Sequence, residues 1–291
     1  MAILRYTASA DNTITNAFEA NLVTRGTGSN MGYADSLEVF SIYGQESGST
    51  GQSQELSRVL IQFPVTSITA DRAAGTIPAS GSVSFYLKIF NAEHPFTLPQ
   101  DFNLVVAPIS QSWNEGTGLD MDEYQDLGFS NWLYASSATT WTSVGGVYLT
   151  ASNYNVSFPE GFEDLEVDVS DAVESWIKGA GSGGFANYGF GIRLTASQEA
   201  YFSSSLGADS GSVIQNTVGA TQSYYTKKFF SRSTEFFFKR PVIEARWDSR
   251  VIDDRENFFF SSSRATAADN LNTLQFYNYG RRGLDNIPAV G

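Results

Sequence analysis

The sequence of 291 residues contains no cysteine and only one histidine, His94. Without cysteine the chain cannot form a disulfide, use a thiol nucleophile, or bind zinc or an iron–sulfur cluster through thiolates. No apolar run reaches the about 18 residues that a membrane helix requires. The first residues, Met-Ala-Ile-Leu-Arg-Tyr, lack the apolar stretch of a signal peptide. We therefore expect neither membrane insertion nor an export signal.

Charged residues are also scarce, at 17% of the chain, against a typical ~25%. Aromatic residues are plentiful instead, with 22 Phe, 14 Tyr and 5 Trp. This supply of apolar side chains excludes a disordered acidic chain. The shortage of charged helix-forming residues excludes a coiled coil or a long helical bundle. The composition therefore indicates a globular protein with a substantial core.

Positive charge is missing from one long stretch. Residues 89–177 contain no Lys or Arg but fourteen Asp and Glu, whereas residues 221–291 contain eleven Lys and Arg and eight Asp and Glu. The acidic part would repel nucleic acid, so we expect no such partner. Two interpretations stay open. The acidic part is either a solvated face beside a mildly basic tail, or a surface that meets the basic end of another copy in head-to-tail assembly.

Short strand-like segments, separated by loops rich in Gly, Ser, Thr and Asn, dominate the chain. The clearest is 82–90, in which apolar residues alternate with a period of two. One short helix is predicted at 170–177, with Ser170 as its cap and Gly179 at its end. This pattern is typical of a β-sandwich or jelly roll. The fold class predicted is all-β: a jelly-roll-like β-sandwich with one short helix and a C-terminal extension.

Short motifs also follow one another in a fixed order. They are Ala-Asp-Asn-Thr at 10–13, Arg-Val-Leu-Ile-Gln-Phe at 58–63, Val-Ser-Phe-Tyr-Leu-Lys-Ile-Phe at 83–90, Ser-Trp-Asn-Glu at 112–115, Leu-Glu-Val-Asp-Val-Ser at 165–170 leading to Trp176, Asn-Tyr-Gly-Phe-Gly-Ile-Arg-Leu at 187–194, Tyr-Phe-Ser-Ser at 201–204 and Arg-Pro-Val-Ile at 240–243. In this order they resemble the DNRLRE-type modules, jelly-roll sandwiches found on cell surfaces and related to carbohydrate-binding modules. The resemblance implies a jelly-roll domain over residues 1–247.

A second resemblance rests on Ala-Asp-Asn-Thr-Ile-Thr-Asn-Ala at 10–17, Arg-Gly-Thr-Gly-Ser-Asn-Met-Gly at 25–32, Tyr-Tyr-Thr-Lys-Lys-Phe-Phe at 224–230 and Asp-Asn-Leu-Asn-Thr-Leu at 269–274. With these segments the chain resembles virion structural proteins of marine T4-like tailed phages (cyanophage type). This implies a non-enzymatic particle component, in the capsid decoration, neck, tail or fibre base. It would be made in the host cytoplasm and released by lysis. The alternative is a carbohydrate-binding module that contacts host surface glycans.

Carboxylates cluster in a Gly-rich segment. They are Glu115, Asp120, Asp122, Glu123 and Asp126. Calcium takes 6–8 oxygen ligands, but the spacing is not that of an EF-hand loop. The segment is therefore either a solvated acidic loop or a calcium site, and calcium is the single cofactor that the sequence suggests. A glycosidase carboxylate pair is the third, weakest interpretation.

The five tryptophans divide by their neighbours in sequence. Trp113, Trp176 and Trp247 lie beside aliphatic runs and are predicted to be in the core. Trp132 and Trp141 lie in a stretch rich in Ser, Thr and Gly, and we expect both at the surface. There they would either pack against loops or stack on a glycan.

The remaining motifs have structural explanations. Residues 179–184 match G-x-G-x-x-G, but the motif follows the predicted helix instead of opening one, which favours a flexible turn. His94 lies in a loop, and no G-x-S-x-G elbow accompanies it. We therefore expect no enzyme.

Three arginines beside apolar segments need buried partners, because a buried Arg is almost always paired with a carboxylate. They are Arg25, Arg58 and Arg193. Glu166 and Asp168 are the predicted partners, which makes these arginines structural.

The C-terminal part is the predicted assembly surface, because aromatic residues and Arg are enriched in interface cores. Residues 248–291 are assigned as a docking and assembly segment that binds other copies of the chain and other virion proteins. The candidate interface residues are Phe229, Phe230, Arg232, Phe258, Phe259, Phe260, Tyr277, Tyr279, Arg281 and Arg282.

Overall fold

The computed structural model describes residues 1–45, 52–93, 100–125, 128–204, 211–250 and 266. The fold is all-β, with curled antiparallel sheets in a sandwich-like arrangement. The strands are β1 (Ala2–Thr7), β2 (Ala10–Thr15), β3 (Ser29–Asn30), β4 (Ser36–Gln45), β5 (Gln52–Gln62), β6 (Ser84–Ile89), β7 (Phe102–Pro108), β8 (Asp120–Gln125), β9 (Tyr134–Ser136), β10 (Thr139–Thr140), β11 (Tyr154–Phe158), β12 (Leu165–Asp168), β13 (Phe190–Leu194), β14 (Tyr224–Phe230) and β15 (Val242–Trp247). The α-helices are α1 (Val65–Ala73) and α2 (Ser170–Lys178).

Two main sheets carry the fold. A four-stranded sheet has the order β1-β15-β6-β12. A seven-stranded sheet has the order β11-β7-β13-β5-β4-β14, and β2 adds to it along β5. Every strand pairing whose register is described is antiparallel, including those of the small ribbons β3–β8 and β9–β10. Most neighbours are distant in sequence, which is typical of a sandwich built from crossing connections rather than hairpins.

The main core, which we call the inter-sheet core, lies between these two sheets. Strand β6 contributes one alternating set of side chains to this core. Phe85, Leu87 and Ile89 are fully buried on one face, as the period of two predicts. From the seven-stranded sheet, Val59 and Ile61 reach the same core. Helix α2 and strands β7, β13 and β15 complete it with apolar side chains.

Strand β5 is buried on both faces. Its residues Val59 and Ile61 belong to the inter-sheet core, whereas Leu56 and Leu60 belong to a second apolar cluster, which we call the outer core. The connection between β7 and β11 supplies much of the outer core and covers this face of the strand. Only Val59–Ile61 form a continuous apolar run in β5, and the polar Gln54, Ser57 and Arg58 are buried on the same strand because each has a hydrogen-bond partner.

Helix α2 confirms the predicted helix, and Gly179 ends it with φ 74° and ψ 159°. Its cap differs from the prediction, because Val169 is the capping residue and makes no side-chain cap bond. The hydroxyl of Ser170 instead donates to the carboxylate of Asp168 at 2.6 Å and accepts the backbone N–H of Phe85 at 2.8 Å.

Helix α1 was not predicted, so the expectation of a single helix was wrong. It follows Pro64 and buries only Ile68. Its β-branched residues favour a strand more than a helix. The guanidinium of Arg72 ties α1 to Glu174 of α2 with two hydrogen bonds of 2.6 and 2.7 Å. Tertiary contacts therefore compensate for weak local preference.

The chain divides after Trp247. One compact unit is Ile3–Trp247, and the other comprises Met1–Ala2 and Asp248–Gly291. Of the predicted docking segment, only 248–250 and 266 are among the described residues. Its role in docking stays a prediction. In the described ranges, no helix is long and apolar enough to cross a membrane.

Candidate functional site

A group of exposed aromatic rings lies between β14 and β15. Phe236, Phe237 and Phe238 are 45%, 77% and 57% exposed. The ring centroids of Phe237 and Phe238 are 5.6 Å apart, and Phe236 lies 5.7 Å from the half-buried Phe230. We call Phe230 and Phe236–Phe238 the aromatic patch. Contiguous exposed apolar groups of this kind mark interaction sites on soluble proteins.

The local backbone explains why the rings face outward. A short 3-10 helix spans Phe237–Lys239, so three consecutive aromatic residues cannot alternate between two faces as they would in a strand. The guanidinium of Arg240 donates to the carbonyl of Thr234 at 3.1 and 3.2 Å and closes the turn. Pro241 then leads into β15.

Two lysines lie against aromatic rings at this end of the sheets. The ammonium of Lys239 is 5.5 Å from the ring centroid of Phe90 and 5.9 Å from that of Phe230. The ammonium of Lys88 in β6 lies 5.3 Å from the ring centroid of Phe90, which follows the end of that strand. These distances are within the range of cation–π contacts. The patch is thus apolar with a cationic border.

The predicted interface residues have four different outcomes. Phe229 is fully buried and packs edge-to-face on Phe158 at 6.2 Å, so its assignment to an interface was wrong. It points into the inter-sheet core because it alternates with its neighbour Phe230, which joins the aromatic patch. Arg232 is engaged in an internal ion pair with Glu115. The others, which lie outside the described residues, are Phe258, Phe259, Phe260, Tyr277, Tyr279, Arg281 and Arg282.

Much of the basic C-terminal part pairs with acidic residues of the same chain. Arg232 contacts Glu115, and the guanidinium of Arg246 lies 2.7 Å from the carboxylate of Glu166. Lys228 lies 2.6 Å from Glu38. These basic side chains therefore form their ion pairs with carboxylates of the same chain rather than with carboxylates of another copy. The charge asymmetry of the sequence is therefore in part an intramolecular feature.

Glu115 is not available as a calcium ligand. Arg232 donates to both of its carboxylate oxygens at 2.5 and 2.6 Å, and the backbone N–H of Asp11 donates to one of them at 2.7 Å. For Glu115 the ion pair with Arg232 supplies the positive charge that a calcium ion would have supplied under the second of the two interpretations. Asp120 is exposed at the start of β8, while the side chains of Asp122, Glu123 and Asp126 lie outside the described ones. Across the described ranges, no group of three or more metal-binding side chains occurs.

Both tryptophans predicted at the surface are buried, so that expectation was wrong. Trp132 and Trp141 are 0% and 4% exposed and belong to the outer core. Their indole N–H groups donate to the carbonyls of Ser212 at 2.7 Å and Asn131 at 2.8 Å. The polar stretch around them folds over the outer face of β5, and the rings fill the space beneath. Neither ring can stack on a glycan in this state.

The other tryptophans are closer to prediction. Trp113 and Trp176 are buried, as expected, in the outer and inter-sheet cores respectively. Trp247 is partly buried against the inter-sheet core. The G-x-G-x-x-G match forms a short 3-10 turn at Ala180–Ser182 after α2, with Gly183 at φ 84°. His94 lies outside the described residues.

The buried arginine of β5 has a carboxylate partner, but not a predicted one. Arg58 donates to both oxygens of Glu199 at 2.9 and 2.8 Å and to the carbonyl of Gly145 at 3.0 Å. Its guanidinium also lies 5.4 Å from the ring of Trp132. Glu166 pairs with Arg246 instead. Burial of the ion pair inside the outer core makes it structural.

The other two arginines bond to the backbone. Arg25 donates to the carbonyls of Asn16 at 2.7 Å and Gln54 at 2.8 Å. Arg193 donates to the carbonyl of Leu194 at 3.3 Å. In the hydrogen bonds described, neither arginine contacts a carboxylate. The predicted pairing with a carboxylate was therefore wrong for both.

Two further polar clusters were not predicted. Asp11 is fully buried; its Oδ2 accepts the backbone N–H of Arg232 at 2.6 Å, and Oδ1 has no hydrogen-bond partner among the described residues. Burial raises the pKa of Asp11 to about 7. The second cluster surrounds Lys227, an almost fully buried lysine of β14. Burial lowers the pKa of Lys227 to about 8.

No protein-family model matches this chain, and no curated protein matches it significantly. The resemblances to DNRLRE-type modules and to phage virion proteins therefore stay expectations from the sequence.

Proposed function

We propose that the chain is a non-enzymatic structural component of a tailed-phage virion, and that it acts by binding other copies or other virion proteins through the aromatic patch. The observation that carries the assembly role is the exposure of three adjacent rings, Phe236, Phe237 and Phe238, on a turn fixed by hydrogen bonds. Aromatic residues are the ones enriched in protein interfaces. The virion assignment rests on the sequence resemblance alone.

The cost of leaving these rings in water supports the proposal. Burying a phenylalanine side chain stabilises a complex by roughly 1.5–3 kcal/mol, and a rigid turn loses little conformational entropy on binding. The lysines at the border would add orientation more than affinity. The partner expected is therefore a protein surface that offers an apolar pocket.

The carbohydrate-binding alternative has lost the side chains on which it depended. Trp132 and Trp141 fill the outer core and donate their N–H groups to backbone carbonyls. Among the described residues no other contact favours a glycan ligand, and the sequence resemblance to modules related to carbohydrate-binding modules is its remaining support, so we prefer the assembly role.

A double substitution, Phe237→Asp with Phe238→Asp, tests the patch. Because both rings are exposed, we expect the free energy of unfolding to change by less than about 0.5 kcal/mol. Light scattering at several concentrations should show that the variant no longer forms the assemblies of the wild type. Val23→Asp is the matched control, since Val23 is an exposed apolar residue of another loop, 82% exposed. Assembly that persists in the double variant would show that the interface lies elsewhere.

The virion assignment needs its own experiment. Mass spectrometry of purified particles, from lysates in which the chain is produced, should find the wild-type chain in constant proportion to the capsid protein. The Phe237→Asp, Phe238→Asp variant should be depleted from the particles. A chain found only among unassembled lysate proteins would refute the assignment.

A further inference from the structure

Lys227 lies in an unusual setting for a lysine. Its side chain is almost fully buried between the rings of Phe158 and Phe229, whose centroids are 4.8 and 5.1 Å from Nζ. Nζ donates three hydrogen bonds: to Asn91 Oδ1 at 2.7 Å, to the carbonyl of Gly161 at 2.9 Å and to that of Glu163 at 2.8 Å. Loss of water around the buried side chain disfavours the ammonium form, which lowers the pKa of Lys227 to about 8. A neutral, nucleophilic amine is therefore accessible near neutral pH.

The group nearest to this amine is a carboxamide. Since Nζ is 2.7 Å from Asn91 Oδ1, and a C=O bond is about 1.23 Å long, the carboxamide carbon lies no further than about 3.9 Å from Nζ. The backbone holds the two residues in place. The backbone N–H of Phe230 donates to the carbonyl of Phe90 at 3.0 Å, and the backbone N–H of Ala92 donates to the carbonyl of Lys228 at 3.1 Å. These bonds bracket the Lys227–Asn91 contact, so the reacting groups are already positioned.

A carboxylate accompanies the pair. Glu163 offers its backbone carbonyl to Nζ, and its Oε1 accepts the backbone N–H of Glu160 at 2.8 Å. Its Oε2 is buried and has no hydrogen-bond partner among the described residues. Burial opposes ionisation of Glu163, but backbone N–H groups and the charge of Lys227 outweigh it and lower the pKa of Glu163, so its carboxylate is ionised near neutral pH. The carboxylate of Asp164 accepts a hydrogen bond from the backbone N–H of Asn91 at 2.8 Å and so helps to hold Asn91 in position.

We propose that Lys227 and Asn91 form an intramolecular isopeptide bond, with Glu163 as the proton carrier. The Nζ lone pair attacks Cγ of Asn91 and forms a C–N bond. Glu163 takes a proton from the attacking nitrogen and returns it to the carboxamide nitrogen, which leaves as ammonia when the original C–N bond breaks. One amine and one carboxamide become one secondary amide and one ammonia. Nothing is oxidised or reduced, and Glu163 ends unchanged.

The bond would join the two sheets of the sandwich. Asn91 follows β6 of the four-stranded sheet, and Lys227 belongs to β14 of the seven-stranded one. The two residues are 136 positions apart, so the cross-link would close a long loop. In a chain without cysteine, it would supply the covalent restraint that a disulfide gives elsewhere. This inference does not depend on the proposed function.

Intact-mass spectrometry of the full purified chain is the direct test. We expect a mass lower than that of the sequence by one ammonia, and a proteolytic fragment in which the peptides of Lys227 and Asn91 are joined. Formation should be complete after incubation above the Lys227 pKa of about 8. A folded chain that keeps the full sequence mass after this incubation would overturn the proposal.

Substitutions assign the roles. Because Asn91→Ala removes the carboxamide, this variant should lose no ammonia and should have the full mass of its own sequence. Glu163→Gln should fold with its backbone contacts intact and also lack the cross-link. The matched control is Glu160→Gln, because the exposed Glu160 offers Glu163 only its backbone N–H; this variant should retain the cross-link. A cross-link that persists in Glu163→Gln would show that Glu163 does not carry the proton.

Discussion

The inter-sheet core and the outer core are built in different ways. The first consists of apolar side chains on regular strands, such as Phe85, Leu87 and Ile89 of β6. The second lies on the opposite face of β5 and contains the buried ion pair of Arg58 with Glu199 beside the ring of Trp132. Loops cover the outer core, and loops bring polar backbone groups with them, so buried donors and acceptors must be paired there. One core depends on periodicity and the other on specific polar contacts.

The largest expected effect comes from breaking the polar contacts of the outer core. Glu199→Ala leaves the guanidinium of Arg58 buried without its counter-charge, and we expect a loss of about 4 kcal/mol in the free energy of unfolding. Denaturant titration measures it. Replacing both partners, with Arg58→Met and Glu199→Leu together, should recover most of the loss. A single variant that costs less than about 1 kcal/mol would mean that the pair is hydrated rather than buried.

A pH effect comes next, at Asp11. Burial raises its pKa from 3.8 to about 7. Between these two pH values the unfolded chain has released the proton of Asp11, whereas the folded chain has kept it. The free energy of unfolding is therefore unaffected by this group below about pH 4 and decreases as the pH rises from 4 to 7. We expect this loss to be on the order of 4 kcal/mol.

Asp11→Asn should remove this part of the pH dependence. The variant and the wild type should be closest in stability near pH 4, and the variant should gain relative to the wild type up to pH 7. Denaturant midpoints at several pH values measure the difference. Parallel curves for the two proteins would show that Asp11 titrates as an ordinary surface carboxyl.

The smallest effect is expected in the inter-sheet core. Ile61→Val removes one buried methylene from the face of β5 that packs between the sheets, and it should cost about 1 kcal/mol. The cost should not vary with pH, because no titratable group is involved. Thermal and denaturant unfolding both measure it. A much larger cost would indicate that this core also depends on exact shape, and would weaken the contrast with the outer core.

The same contrast explains what could be predicted from sequence. The alternation in β6 and the helical spacing in α2 are local signals, and both elements were confirmed. The partner of Arg58 was not found, because Glu199 lies 141 positions away and nothing local marks the pair. Trp132 was expected at the surface because its neighbours in sequence are polar. The ring is buried nevertheless, because the neighbouring Asn131 uses its side-chain oxygen to accept the backbone N–H groups of Leu133 and Tyr134.

The aromatic patch was missed for a related reason. The C-terminal region was identified as aromatic and basic, yet Phe229 was assigned to the surface although it is fully buried. A signal was present: Phe236, Phe237 and Phe238 follow one another without alternation. A strand or an amphipathic helix cannot bury three consecutive rings on one side, so this run indicated a turn that exposes some of them.

The position of β15 has a consequence for synthesis of the chain. It is the last described strand in sequence, yet it lies inside the four-stranded sheet, between β1 and β6. During translation, β1 and β6 therefore leave the ribosome with unpaired edges long before β15, which pairs with both of them, is made. Such non-local pairing slows folding, and unpaired edges invite association between nascent chains. Chaperone demand during production should consequently peak before residue 247 emerges from the exit tunnel.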